Sequence, residues 1–175
     1  LSISGRFGPA AIRFTLDSAT TVHDDVLYEH CRLHEHQIGN QFVGDPTMAI
    51  HVVTCGGGGV LGWSTLPAAT PERSRSHFIG LAHFALPGGK DAAGSKENSM
   101  GDTLVHEMGH YLGLFHTFEG GCNPDPAGGD GVADTPAGLG PQYGCSSGVD
   151  TCPGVAGSDA IHNFMDYTSD GCRYE

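Results

Sequence analysis

Long apolar runs are missing from this sequence. No stretch approaches the roughly 18 residues that a membrane-spanning helix needs, so a soluble chain is expected. Basic residues are scarce, with eight Lys and Arg against twenty Asp and Glu and a formal charge of −12. Such a surface repels phosphate backbones and anionic headgroups, which disfavours nucleic acid and membrane as partners and leaves neutral or basic ones. No two cysteines stand at the two-residue spacing of a zinc ribbon or a redox motif, and no internal repeat is visible.

Glycine is abundant instead, at 28 of 175 residues, against a usual share of about 7%. Long stretches are therefore loop or turn. Six cysteines at 31, 55, 122, 145, 152 and 172 read as disulfides, four of them in the Gly- and Pro-rich last third where a cross-link restricts the unfolded chain most usefully. Disulfides imply an oxidising compartment, so a secreted, extracellular protein is expected. The opening Leu1-Ser2-Ile3-Ser4 is not a secretory leader and reads as the start of a mature or trimmed form.

The length suits one catalytic domain over residues 1–175, with an N-terminal subdomain at 1–113 and a loop-rich C-terminal one at 114–175. β-Branched and aromatic content predicts strands at 11–16, 48–54, 60–66 and 77–86. A mostly exposed helix is expected at 21–37, where His30, His34 and His36 read as a solvated face rather than a second metal site. Residues 56–59 form a turn. The clearest helix runs over 98–113, with Leu104, Met108, Tyr111 and Leu112 on one face, Ser99 and Asp102 as a capping box and Gly113 as its stop.

At about 100° per residue, His106 and His110 share the face opposite that apolar stripe, and both imidazoles can reach one ion. Glu107 is rotated aside, placed to meet a metal-bound water without itself becoming a ligand. A bare His-Glu-x-x-His is a weak signal. Gly113 and His116 strengthen it, since the chain turns at the glycine and brings a third imidazole to the same ion. Three imidazoles with an open fourth position suit catalytic zinc, whereas structural zinc is closed by four protein ligands. The expected chemistry is amide hydrolysis by a zinc-bound water that Glu107 deprotonates, the proton passing on to the leaving amine.

The run His106-Glu107-Met108-Gly109-His110-Tyr111-Leu112-Gly113-Leu114-Phe115-His116 resembles the extended signature of the metzincin clan of zinc metallopeptidases. The segments Thr117 to Cys122, Gly129 to Pro136 and His162-Asn163-Phe164-Met165-Asp166-Tyr167 are similar to the pappalysin family, including its secreted fungal and microbial members. The resemblance implies an α+β fold: a twisted mixed sheet, an active-site helix, a cleft between them and a loop-rich C-terminal part. It makes Met165 the methionine turn beneath the metal and Tyr167 a hydrogen-bond donor to the oxyanion. It also implies calcium held by Asp130, Asp134 and Thr135, whose plain alternative is a Gly-flanked turn. Pairings of Cys122 with Cys152 and Cys145 with Cys172 follow from the same resemblance, leaving Cys31 for Cys55 among 15 possible connectivities.

Two positions depart from the family. Relatives that prefer Arg or Lys after the cleaved bond are expected to carry an acidic residue immediately before the last cysteine, and here that residue is Gly171, with Asp170 next to it. The chain also stops three residues after Cys172, where relatives continue into a helix. The leading reading is a secreted, monomeric zinc endopeptidase acting on proteins or peptides, with substrate paired to a sheet edge within 60–86. A non-catalytic binding or inhibitory module of the same fold is the alternative from another class, disfavoured because Glu107 and all three histidines are present. A thermolysin-like peptidase, with a later Glu as third ligand, is disfavoured by His116.

Overall fold

The computed structural model describes residues 3–91 and 93–174. Its centre is a three-stranded mixed sheet in the order β1-β3-β2. Here β1 is Val52–Cys55, β2 Gly62–Trp63 and β3 Ile79–Ala82. β3 runs parallel to β1, with Val52 opposite Ile79 and Cys55 opposite Ala82. β2 lies antiparallel on its other side, with Trp63 opposite Gly80. All four residues of β3 are buried, as expected of a central strand covered on both faces.

Alternation along β3 divides the core. Leu27, Cys31, Ile38, Val43, Cys55, Trp63 and Phe78 pack together on one side. Ile79 and Leu81 pack on the other with Met108 and Tyr111. Gly80 makes the first cluster possible, because a Cβ there would lie 2.2 Å from the Trp63 ring. Short helices cover that face: α2 at Asp25–Glu29 and α3 at Glu35–Phe42, after α1 at Ile3–Arg6. The opposite face carries α4 at Asp102–Tyr111. Among the described residues no helix is long and apolar enough to cross a membrane.

Several expectations change. Residues 11–16 form no strand, because β propensity needs a neighbouring strand. Phe14 instead exchanges its backbone bonds with the Ser4 side chain, at 2.9 and 3.0 Å. The helix expected at 21–37 is broken into α2, a 3-10 turn at Cys31–His34 and α3. Asp24 starts it, accepting from the Leu27 amide at 2.9 Å. It is not mostly exposed, since Leu27, Cys31 and Ile38 are buried. The other strands are shorter than expected, and β3 passes into a 3-10 turn at His83–Ala85.

The α4 helix also starts later than its periodicity suggests. Ser99 does not cap α4; its hydroxyl donates to the Lys96 carbonyl at 2.9 Å. The cap arrives from the far end of the chain. One Asp170 carboxylate oxygen accepts from the amides of Met100, Gly101 and Asp102 at 2.7, 3.2 and 3.4 Å. These are donors that a helix start cannot satisfy internally, and a carboxylate also suits the positive end of the helix.

The other end follows the sequence. Gly113 adopts φ 102°, its amide donates to the His110 carbonyl, and Leu114 donates to Gly109, both at 2.9 Å. This pair of bonds is a Schellman motif.

Among the described residues beyond 120, regular structure is confined to 3-10 turns at Pro126–Gly128 and Asp170–Cys172. Disulfides join Cys122 to Cys152, Cys145 to Cys172 and Cys31 to Cys55. No cysteine among the described residues is free.

Candidate metal centre

His106 and His110 lie one turn apart on α4, and the Schellman turn at Gly113 brings His116 back toward them. The His110 Nε2 stands 3.1 Å from the His106 Nε2 and 3.0 Å from the His116 Nε2. Among the described residues this is the group of three whose ligand atoms could hold one ion.

The opposite ring nitrogens fix the tautomers. His106 Nδ1 donates to the Phe164 carbonyl and His110 Nδ1 to the Leu114 carbonyl, both at 2.7 Å. A carbonyl can only accept, so both Nδ1 atoms carry hydrogen and both Nε2 atoms present lone pairs. Lone pairs that face each other at about hydrogen-bond distance repel. A cation between them turns that repulsion into coordination, so the donor set fits a metal ion, and carbonyl partners of this kind orient metal-binding imidazoles.

Electrostatics favour the neutral ligand form. Burial pushes the His106 pKa down to about 3, further lowered by the other two imidazoles and opposed by the bond to Phe164. Burial lowers His116 to about 4 and lowers His110 as well.

Glu107 lies under the sheet's edge. A Cβ on Gly62 would come 2.8 Å from Glu107 Cγ and 3.0 Å from its Oε1, so β2 can pass over the carboxylate only because residue 62 has no side chain. Burial raises the Glu107 pKa to about 8, opposed by Arg32 and Arg173. Its Oε2 is buried without a hydrogen-bond partner among the described residues, which leaves that oxygen free to take a proton from a small molecule.

Met165 is buried beneath α4, where a Cβ on Gly109 would meet its Sδ at 2.3 Å. The Tyr167 ring lies 4.8 Å from that of His116 and 5.7 Å from that of His106. Burial raises its pKa, with Glu107 adding to the effect.

Asp130 and Thr135 line a cavity of about 390 Å³ with Glu119 and Asn123, and Asp134 is not part of that lining. Asp130 Oδ1 accepts from the Val132 amide at 2.9 Å, closing a local turn. Gly171 is exposed, and Asp170 points into the start of α4 rather than toward the imidazoles.

Sequence reasoning missed four contributors: the Phe164 carbonyl, Gly62, Phe118 and Asp170. Phe118 stacks on His116 with centroids 4.8 Å apart. None has a local pattern that marks it, because each acts through a contact made only by folding.

A mixed sheet backed by a helix that carries two imidazoles, with a third converging on them from beyond the helix end and a methionine below, is the α+β metzincin fold. The peptidase M43 family model, described as pregnancy-associated plasma protein-A, matches residues 80–175. The chain belongs to this family, the pappalysins.

An extracellular metalloprotease of Pyricularia oryzae is 44% identical over 119 residues, covering 67% of this chain and 40% of that protein. One from Colletotrichum graminicola is 40% identical over 121 residues, 67% of this chain and 41% of the relative. The chain thus spans about two fifths of the length of the curated relatives it matches. Among solved structures, mirolysin in complex with compound 9 superposes with a TM-score of 0.59 at 29% identity, over 71% of this chain and 46% of that one. Tannerella forsythia promirolysin mutant E225A gives 0.61 at 26% identity, over 74% and 42%.

Proposed function

We propose that the protein is a secreted zinc-dependent endopeptidase with His106, His110 and His116 as metal ligands and Glu107 as the general base. The observation that carries this reading is the convergence of three Nε2 atoms, with Glu107 next to His106 on the same helix and one of its carboxylate oxygens buried without a hydrogen-bond partner among the described residues. When bound, zinc supplies Lewis acidity and positive charge: it polarises a carbonyl, brings the pKa of water to about 7 and draws Glu107 toward its ionised form.

Glu107 takes the proton of the attacking water at its free oxygen and delivers it to the leaving amine. Tyr167, beside His116, donates from its hydroxyl to the oxyanion. Met165 is the apolar floor that holds α4 level. Substrate pairs in extended form with the open edge at β2, directly above Glu107, which puts the scissile carbonyl next to the ion. Residues 1–113 supply the sheet and helix of the cleft, and 114–175 supply the third ligand and the floor.

Secretion is supported by three disulfides and by relatives named extracellular metalloproteases. Protein or peptide substrates follow from the peptidase reading, acting as a monomer. Calcium is proposed for the 390 Å³ cavity, with Asp130, Glu119 and Thr135 offering the hard oxygen ligands it prefers.

The test is metal analysis with casein digestion for Glu107→Gln and His116→Ala. Glu107→Gln is expected to keep one zinc and lose about 10²- to 10⁴-fold in rate. His116→Ala is expected to lose zinc. Digestion at an undiminished rate by Glu107→Gln removes that residue from the mechanism.

A further inference from the structure

The metal triad is continuous with a group of aromatic rings that the catalytic reading uses only in part. Tyr167 meets Phe118 edge-on at 5.3 Å, and Phe118 lies flat on His116. Tyr143 comes from a loop that is distant in sequence, and its ring centroid stands 6.1 Å from that of Tyr167. Tyr143 is nonetheless 73% exposed, so it contributes little to the core.

Its loop is fixed on both sides. The Gln142 amide donates to Asp166 Oδ1 at 2.9 Å and the Gln142 side chain to Asp159 Oδ2 at 3.2 Å, while Cys145 is bonded to Cys172. An exposed tyrosine on a loose loop needs no explanation. One whose neighbours are anchored within a few residues on each side is held where it is.

Three of the nearby carboxylates are committed elsewhere. Asp166 Oδ1 accepts from the amides of Gln142 and Tyr167. Asp159 accepts from Thr151 and Gln142, and Asp170 caps α4. All three are buried. The exposed Glu119 lines the neighbouring cavity and also lies near enough to His110 to act on it electrostatically. Beside the triad the surface presents the rings of Tyr143 and Tyr167.

The geometry points to a substrate ledge formed by Tyr143 and Tyr167, backed by Phe118, that takes an aromatic or large apolar side chain on a residue flanking the hydrolysed bond. Tyr167 touches two of the three imidazoles, so a side chain resting on this ledge belongs to a residue next to the carbonyl held at the metal. The inference rests on the peptidase reading and adds its substrate class.

The test is cleavage-site mapping with the zinc-loaded chain on a mixed peptide library. Two matched peptides carrying Phe or Ala at the selected position are then compared. Phe, Tyr, Leu and Met are expected to be enriched on one side of the bond. Tyr143→Ala is expected to lower the Phe-to-Ala ratio of kcat/KM by about three- to tenfold, the usual worth of one aromatic contact, mainly through KM. Tyr143→Phe keeps the ratio.

A preference for Arg or Lys at that position, or an unchanged ratio in Tyr143→Ala, overturns the ledge. Binding of the two peptides to zinc-loaded Glu107→Gln, with and without Tyr143→Ala, separates this inference from the catalytic one. A wild-type chain that cleaves nothing ends the peptidase reading. The ledge then stands if the Phe peptide binds more tightly in a Tyr143-dependent way, and falls if the two peptides bind equally.

Discussion

Replacing Asp170 by Ala removes the acceptor for three amides at the start of the metal-carrying helix, although Asp170 is distant from that helix in sequence. Two of those bonds are short, at 2.7 and 3.2 Å, and the third is 3.4 Å. Asp170 is only 1% exposed, so water cannot readily replace it. A hydrogen bond to a charged acceptor is worth about 1.5 to 3 kcal/mol. The loss also leaves Arg173 buried at 6% exposure with its foremost charge partner gone. Together these put the cost of Asp170→Ala at about 3 to 5 kcal/mol, the range for breaking a buried charge interaction from one side. That is a large share of the roughly 5 to 15 kcal/mol available to a domain. Asp170→Asn keeps an acceptor oxygen and loses the charge, so it should cost about half as much.

The assay is urea unfolding of the metal-free protein with its disulfides intact, alongside zinc affinity by chelator competition. A frayed α4 start loosens His106 one turn later, so zinc affinity should fall in the same order: wild type, Asn, Ala. If Asp170→Ala unfolds within about 1 kcal/mol of wild type, or Asn and Ala behave alike, the capping carboxylate is not what fixes this helix.

Gly62→Ala should displace the Glu107 carboxylate, since its Cβ would lie 2.8 Å from Glu107 Cγ. An error of about 1 Å in placement can cost about 10²-fold in rate, so kcat should drop at least tenfold with zinc content unchanged; full activity in this variant would contradict the close approach of β2. Gly109→Ala places a Cβ 2.3 Å from Met165 Sδ and should cost about 1 to 3 kcal/mol by overpacking, which wild-type thermal stability would rule out. In the metal-free protein, Glu107 holds a proton up to about pH 8 when folded but only to its ordinary value of 4.5 when unfolded. Its contribution is therefore present below 4.5 and lost as pH rises through about 8. His106, at about 3 against 6.5, contributes stability that is present above 6.5 and lost as pH falls toward about 3. Glu107→Gln should thus flatten the alkaline decline between pH 4.5 and 8 while leaving the acid side in place, and parallel unfolding profiles in a chelator would count against a buried, protonated Glu107.

The sequence by itself determined the chemistry that lies within one helical turn or one tight bend. His106, Glu107 and His110 sit at spacings that the α-helix converts directly into directions, and Gly113 marks the bend that returns His116. The strands centred on residues 53 and 80 were legible for the same reason, being short runs of apolar and β-branched residues with glycine close by. What only the tertiary structure decided are the relations between distant parts of the chain. Ser99 has the right residue type for a cap and lies near the right place, yet Asp170 holds the position, because a fully charged acceptor brought in by the C-terminal turn satisfies three amides at once. Residues 11–16 have strand-like content and no strand to pair with, so propensity goes unused. Asp130 and Asp134 look equivalent in sequence, and only the path of the loop turns one into the cavity and leaves the other outside. Local spacing survives folding because the helix fixes it; long-range partners are chosen by packing, which no single segment encodes.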